Sequence, residues 1–191
     1  MRQNFARSAR RSRLDERSRV TYPWRMAQSD PSAKAVPGIP ATRLDHTAIC
    51  VEDMDASIAL LEELFGQKVA HREQVASQKV SAAFFDFPNG ASLELVSPSR
   101  SLGGNPGLER FLEKRGDALH HLALRVTNLD ELLRRLEARG VPLIDRVSRP
   151  GARGHRVAFL HPRAMGGTLL ELVEAGGEGS AATASHGDQS R

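Results

Sequence analysis

The sequence predicts an α+β fold in which two βαβββ modules form one curved mixed sheet. A heptad with histidine in its third place occurs twice, as "LDHTAIC" from Leu44 and "LHHLALR" from Leu119. A helical pattern follows each heptad at nearly the same distance, and the tetrapeptide "LELV" ends both halves. Because each such unit has one apolar sheet face, two copies are expected to complete each other by joining their sheets.

The first heptad is followed by a helix candidate in "EDMDASIALLEELFG". Asp53 or Asp55 can cap its start, and Gly66 is expected to end it. Three apolar residues recur at helical spacing and predict the buried face. They are Ile58, Leu61 and Phe65.

The second heptad is followed by a matching candidate in "TNLDELLRRLEARG". Asn128 or Asp130 can cap this helix, and Gly140 is expected to end it. Its predicted buried face consists of leucines at positions 129, 132, 133 and 136.

Each helix is followed by three strand candidates, which complete the repeated unit. In the first half they cover residues 68–76, 80–87 and 91–97, and "PNG" between the last two predicts a hairpin. In the second half they cover residues 142–148, 155–160 and 167–173.

The chain of 191 residues is long enough for one domain, which we place at 42–175, with modules at about 42–98 and 117–175. The flanking segments 1–41 and 176–191 have the composition of a disordered leader with linker and a disordered tail. No apolar run approaches the roughly 20 residues of a membrane span, so no membrane partner is expected. The single cysteine, Cys50, excludes an intramolecular disulfide and a thiolate metal cluster.

The positive charge of the chain is concentrated in its first 26 residues. Eight arginines there face only Asp15 and Glu16, which gives a net charge of +6, while the whole chain carries +4. The rest of the chain therefore carries a charge of −2, and no basic and aromatic pattern recurs in it. We do not expect a nucleic-acid partner.

The arginine-rich leader has no apolar core of the kind found in a secretory signal. Its Arg, Ser and Ala content is compatible with a mitochondrial transit peptide, and Met26 is an alternative start of the protein. The expected location is cytoplasmic, or the mitochondrial matrix if the leader is a transit peptide.

Each half supplies one histidine from its first strand and one glutamate from its last. His46 precedes Glu94 by 48 residues, and His121 precedes Glu171 by 50 residues. Since strand residues alternate between faces, each glutamate points away from the leucines beside it, and so towards the concave face if those leucines pack on the helices. A carboxylate in that place is costly unless it is paired or binds a metal ion.

The repeated set of two histidines and two glutamates therefore predicts a site for a divalent cation. Alternation places His120 on the opposite face from His121, in a structural or supporting role. His155 and His161 are expected to have structural roles close to the site. The sequence contains no nucleotide-binding glycine loop and no serine-nucleophile motif.

With these residues, the sequence resembles the vicinal oxygen chelate (glyoxalase-like) superfamily, and within it the methylmalonyl-CoA epimerases. The resemblance covers residues 43–174. It is carried by "LDHTAICVEDMDASI", "SLELVSP", "FLEKRGDALHHLALRV", "RGVPLID", "RPGARG" and "FLHPRAMGGTLLELVE".

The resemblance implies a vicinal oxygen chelate fold and a metal ion bound by His46, Glu94, His121 and Glu171. These epimerases have Gln or Glu at the place of Glu94, and Gln78 matches a recurrent glutamine near their substrate. Some carry a second glutamate, proposed as a base, whose place is taken here by Ala82.

The implied reaction is epimerisation of (R)- and (S)-methylmalonyl-CoA in propionyl-CoA metabolism. A proton leaves C2 to give an enolate and returns to the opposite face, which requires acid or base groups on both faces. Glu171 is the expected catalytic base, and Glu94 is the second candidate, although coordination lowers its basicity. The expected partners are methylmalonyl-CoA and a second copy of the chain in a homodimer.

Nitrogen and oxygen donors of this kind suit Co²⁺, our first choice, and also Mn²⁺, Ni²⁺ or Zn²⁺. Two alternatives remain at the sequence level. One is a lyase of the glyoxalase I type, whose sequences lack the combination of "FLEKRG", "LHH" and "FLHP". The other is a metal-free binding protein of the same fold, a class that commonly loses the histidine and glutamate set.

Overall fold

The structure is a computed structural model that describes residues 41–176. The predicted leader and tail, apart from one residue of each, lie outside the described residues. The elements are β1 (Arg43–Cys50), α1 (Met54–Phe65), β2 (His71–Val75), β3 (Val80–Asp86), β4 (Ser92–Pro98), α2 (Pro106–Arg115), β5 (Ala118–Arg125), α3 (Leu129–Ala138), β6 (Arg149–Pro150), β7 (Arg156–Leu160) and β8 (Leu169–Glu174). None of the helices in this part of the chain is long and apolar enough to span a membrane.

The eight strands form one mixed sheet in the order β2-β3-β4-β1-β5-β8-β7-β6. Within each module the first strand pairs in parallel with the last, β1 with β4 and β5 with β8. The two modules join where β1 and β5 pair antiparallel in the middle of the sheet. This topology confirms the predicted α+β fold with two βαβββ modules and a curved mixed sheet, the vicinal oxygen chelate fold.

Helix α1 covers the convex face of the first module. Asp53 caps it by accepting a hydrogen bond from the backbone N–H of Ala56, and Gly66 ends it in the left-handed region at φ 63°. Of the predicted face, Ile58 is buried and packs with Leu95 of β4. The prediction for Phe65 is wrong, because this residue lies at the last position of the helix and is 65% exposed.

Helix α3 covers the convex face of the second module in the same way. Leu129 and Leu133 are fully buried and pack with Leu170 and Leu172 of β8. Asn128 occupies the cap position without a side-chain hydrogen bond. The carboxylate of Glu174 instead accepts from the backbone N–H of Leu129, so a side chain of β8 caps this helix.

The predicted strand at 142–148 is wrong. The segment makes a single bridge, from Leu143 to Leu160, before the two-residue strand β6. The carboxylate of Asp145 accepts from the backbone N–H of Phe159, a donor that a regular neighbouring strand would have used. Leu143 packs against the core of the second module, but Ile144 and Val147 are 51% and 72% exposed, so the apolar residues of this segment do not form one continuous buried face.

Helix α2 received no prediction and lies between the two modules. Asn105 caps it by accepting hydrogen bonds from the backbone N–H groups of Gly107 and Leu108. Leu108 is buried with Ala48 and Phe84 in the cluster on the concave side of the first module. The helix therefore covers part of the concave face rather than the convex one.

A crossing segment, residues 149–154, connects the two edges of the sheet. The Ser77 hydroxyl donates to the carbonyl oxygen of Pro150 at 2.7 Å. The carboxylate of Glu73 in β2 accepts from the backbone N–H of Arg153 at 2.6 Å. Because β2 and β6 are opposite edges of the sheet, these contacts close the curved sheet around its concave face.

Candidate metal centre

The concave face encloses a cavity of about 300 Å³. All four residues of the predicted ligand set line it, and each is at most 7% exposed. In sheet order they come from β4, β1, β5 and β8, so the two histidines lie in the middle and one glutamate flanks each of them. These residues are Glu94, His46, His121 and Glu171.

Ligand atoms of the four side chains meet at short distances. The Nε2 atoms of His46 and His121 are 3.1 Å apart. Oε2 of Glu171 lies 3.0 Å from each of these nitrogens. Oε2 of Glu94 lies 3.2 Å from Nε2 of His46 and 3.4 Å from Nε2 of His121. The structure thus brings together all four predicted residues.

Strand alternation gives the glutamates this orientation. Leu95 packs under α1 while Glu94, its neighbour, faces the cavity. Leu170 and Leu172 pack under α3 while Glu171 between them faces the cavity. The predicted orientation of both carboxylates is confirmed, and it follows from the two-residue period of a strand.

The buried charges of the four side chains compensate one another. Burial opposes ionisation of Glu94, but hydrogen bonds with His121 and His46 lower the pKa of its carboxyl to about 2. Burial also opposes protonation of His46, yet its hydrogen bonds to Asp45 and the two glutamates raise the pKa of the ring to about 12. The pKa of His121 is raised to about 9 by the same glutamates, against its burial. The pKa of Glu171 is lowered, again against burial, by both histidines.

The arrangement fits a metal ion. Bonds of about 2.1 Å between a metal and its nitrogen or oxygen ligands bring neighbouring ligand atoms to about 3 Å from one another. The ligand atoms of His46, His121 and Glu171 all lie within 4.8 Å of one another, and Glu94 approaches both histidines. Two nitrogens and two carboxylate oxygens suit a divalent transition metal and leave positions for oxygen atoms of a ligand.

The prediction that His120 faces away from the site is wrong. His120 lines the same cavity as His121, and its Nδ1 atom lies 2.9 Å from Nδ1 of His121. The register between β1 and β5 slips at this place, so the alternation expected of a regular strand does not hold. A supporting role for His120 agrees with the observed contact.

Asp45 was not singled out from the sequence, although it contacts the site directly. Its Oδ1 atom lies 3.0 Å from Nδ1 of His46, and its Oδ2 atom forms an ion pair with Arg125. Hydrogen bonds and charge from His46 and Arg125 lower the pKa of Asp45 against the effect of its burial. The signal that would have found it is its position, since Asp45 and His120 each directly precede a repeated histidine.

Gln78 lies in the turn before β3 and lines the cavity, as its predicted role in substrate binding requires. Its backbone carbonyl accepts from the Asn105 amide at 2.8 Å, whereas its own side chain bonds to no described residue. Ala82 is fully buried in the cluster with Val80 and Phe84. That position therefore supplies a methyl group and no base.

Two arginines of the crossing segment also line the cavity and were missed in the sequence. The guanidinium of Arg153 lies over the ring of Phe84 at 4.2 Å, and that of Arg149 lies 5.3 Å from the ring centre of Phe159. His155 lines the cavity too, whereas the His161 ring accepts from the backbone N–H of Arg163 in the turn after β7. Positive charge is thus present on the wall of the cavity.

Comparison with known proteins gives the family. Residues 45–159 match the family model described as the Glyoxalase/Bleomycin resistance protein/Dioxygenase superfamily. The chain belongs to this superfamily.

Its relatives in the superfamily include proteins named methylmalonyl-CoA epimerase. The mitochondrial enzyme of that name from Dictyostelium discoideum is 32% identical over 69% of this chain and 78% of its own length. The crystal structure of the enzyme from Mycobacterium tuberculosis is 34% identical, with a TM-score of 0.66 over 74% of this chain and 93% of that chain. A solved methylmalonyl-CoA epimerase in complex with methylmalonyl-CoA and NH4+ is 30% identical, with a TM-score of 0.63 over 71% of this chain and 96% of that chain.

Proposed function

We propose that this member of the glyoxalase superfamily is a metal-dependent methylmalonyl-CoA epimerase that interconverts the (R) and (S) forms in propionyl-CoA metabolism. The observation that carries the proposal is the buried set of two histidines and two glutamates in the cavity. The similarity to named epimerases over most of the chain supports methylmalonyl-CoA as the substrate.

His46, Glu94, His121 and Glu171 are the proposed metal ligands, and Co²⁺ is the first choice of ion, with Mn²⁺, Ni²⁺ or Zn²⁺ as alternatives. A divalent cation in this set would act as a Lewis acid that stabilises negative charge developing on the thioester oxygen. The side chains carry two positive and two negative charges when the cation is absent, because the pKa values of the histidines are raised and those of the glutamates are lowered. The site is therefore built for charged groups in spite of its burial.

Glu171 is the proposed base that takes the proton from C2 of the substrate. Its lowered pKa keeps the carboxylate ionised, which is the form that can accept a proton, although it also lowers the basicity of the group. Glu94, on the other side of the two histidines in the sheet, is the proposed second acid or base. Inversion at C2 needs proton exchange at both faces, and two carboxylates from strands that flank the histidines suit this requirement.

The remaining cavity wall suits a polar, anionic substrate. Gln78 lines the cavity, and its side-chain amide has no hydrogen-bond partner among the described residues. It is the proposed substrate-binding residue. Arg149 and Arg153 add positive charge to the same wall. The predicted homodimer and the predicted cytoplasmic or mitochondrial matrix location remain predictions.

The direct test is exchange of the C2 proton of methylmalonyl-CoA for deuterium in D₂O. The protein should catalyse exchange together with epimerisation, a chelator should stop both, and Co²⁺ should restore both. Exchange that continues unchanged after verified metal removal would contradict the metal-dependent mechanism. Absence of exchange and epimerisation in the metal-loaded protein would overturn the proposed activity.

A further inference from the structure

We propose that Asp45 and His120 are positioning residues that hold the rings of His46 and His121 through a matched pair of β-bulges. The inference rests on the metal centre proposed above and assigns the residues that orient two of its ligands.

Each bulge adds one residue directly before a proposed ligand histidine. Where β1 meets β5, Leu44 pairs with Leu124 and His46 pairs with Ala123, so Asp45 is the additional residue on β1. Further along, Ala48 pairs with His121 and Ile49 pairs with Leu119, which makes His120 the additional residue on β5. The two modules thus carry the same irregularity at the same place in their first strands.

The bulges explain how neighbouring side chains reach one cavity. In a regular strand, consecutive side chains point to opposite faces of the sheet. An additional residue disturbs this alternation and re-aims a side chain. Asp45 and His46 consequently both line the cavity, and so do His120 and His121.

Asp45 holds His46 from a fixed position. One carboxylate oxygen, Oδ1, accepts a hydrogen bond from Nδ1 of His46 at 3.0 Å. The other, Oδ2, accepts from Nε and Nη2 of Arg125, each at 2.5 Å. Because both oxygens are engaged, Asp45 fixes the rotation of the His46 ring and leaves Nε2 directed at the other proposed ligands.

His120 holds His121 in the corresponding way but without a charge. The two Nδ1 atoms are 2.9 Å apart, so one ring must donate and the other must accept. If His121 is to bind a cation through Nε2, its proton lies on Nδ1, and Nδ1 of His120 is the acceptor. The His120 ring is itself fixed by edge contact with the Phe111 ring of α2, with centroids 4.9 Å apart.

The two positioning residues should contribute unequally to the affinity for a cation. A carboxylate is a stronger acceptor than a neutral imidazole, so Asp45 should contribute more to cation affinity than His120. Loss of such a supporting group typically costs about 10- to 100-fold in metal affinity.

The experiment measures Co²⁺ affinity by calorimetry on the full chain carrying single substitutions. Asp45→Leu should weaken binding by about 10- to 100-fold, and Asp45→Asn by less, because the amide oxygen still accepts from Nδ1. His120→Phe should weaken binding less than Asp45→Leu does, and His120→Gln, which retains an acceptor, should recover part of that loss. Asp55→Asn and His161→Phe, at residues that do not line the cavity, are the matched controls and should bind like wild type.

Proton NMR of the Co²⁺-loaded protein gives a second readout that a general loss of stability would not reproduce. The Nδ1 protons of ligand histidines give strongly shifted, exchangeable signals, and each should exchange faster with solvent only when its own partner is replaced. If the Asp45 and His120 variants keep wild-type Co²⁺ affinity and unchanged Nδ1 signals, the positioning role is overturned, while the proposed metal centre stands. A wild-type protein that takes up none of Co²⁺, Mn²⁺, Ni²⁺ and Zn²⁺ would overturn the metal centre and this proposal together.

Discussion

At the scale of single residues, the candidate site pairs the positive charges of two buried histidines with the negative charges of two buried glutamates. His46 and His121 have raised pKa values, about 12 and about 9, because the neighbouring carboxylates outweigh their burial. The carboxyls of Glu94 and Glu171 have lowered pKa values for the reciprocal reason. Cation binding must therefore compete with the protons on the two rings.

We predict that metal affinity rises with pH. Both raised pKa values lie above 7, so both rings are protonated in the metal-free protein at neutral pH, and ligation requires their neutral forms. Uptake of one ion near neutrality should release about two protons. Calorimetry in buffers of different ionisation enthalpy counts these protons. Affinity that is constant between pH 6 and pH 8 would contradict the protonation states assigned to the histidines.

The variant Glu171→Gln separates a ligand from a base. It keeps the size of the side chain and one oxygen but removes the proton acceptor, so the metal-loaded variant should lose about two to four orders of magnitude in C2 proton exchange. Metal content and exchange rate should be measured on the same sample. A metal-replete variant that exchanges at a near wild-type rate would remove Glu171 from the proton transfer.

At the scale of elements, packing of the two helices sets the orientation of the strands beneath them. Leu133 of α3 is fully buried, and α3 packs on β8, the strand that carries Glu171. The equivalent α1 packs on β4, the strand that carries Glu94. The apolar faces of the helices thus keep both glutamates directed into the cavity.

Truncation of Leu133 tests how much the packing of α3 on the sheet contributes to the free energy of unfolding. Leu133→Ala leaves a cavity in the core and should lower the free energy of unfolding by about 2–5 kcal/mol. The control is Leu64→Ala in α1, where the side chain is 63% exposed and the change should stay within about 0.5 kcal/mol. Urea denaturation of the metal-free proteins measures both. If Leu133→Ala lowered the free energy of unfolding as little as Leu64→Ala does, the placement of Leu133 in the core beneath α3 would be contradicted.

The sequence predicted those parts of the fold and site that depend on regular periodicity. Alternation along β4 and β8 was enough to orient Glu94 and Glu171, and helical spacing was enough to find α1 and α3. Register slips leave no periodic trace, so the placement of His120 was wrong and Asp45 was missed. The prediction of a strand at 142–148 failed because the Asp145 carboxylate, rather than a backbone carbonyl of this segment, accepts from the backbone N–H of Phe159. Helix α2 escaped prediction because "NPG" at its start is also typical of a turn.

At the scale of the whole molecule, one site is shared between two modules. Each module supplies one histidine and one glutamate, and the two histidines meet where β1 pairs with β5. The crossing segment of the second module contacts β2 of the first and closes the cavity that both modules line. Neither module holds the full ligand set by itself.

Removal of the arginine-rich leader should have little effect. The composition of residues 1–40 predicts no apolar face that could pack on the domain, so deletion of these residues should leave the melting temperature and epimerisation nearly unchanged. Thermal unfolding and an activity assay of the truncated chain test this. A large fall in melting temperature would show that the leader packs on residues 42–175.

The measurement that tests the shared site most directly is metal content together with epimerisation in His46→Ala and His121→Ala. If both modules build one centre, loss of either histidine should abolish both properties, although the other half of the ligand set is intact. Circular dichroism should show that each variant is folded. Full epimerisation by metal-depleted His121→Ala would contradict a metal-dependent site shared by the two modules.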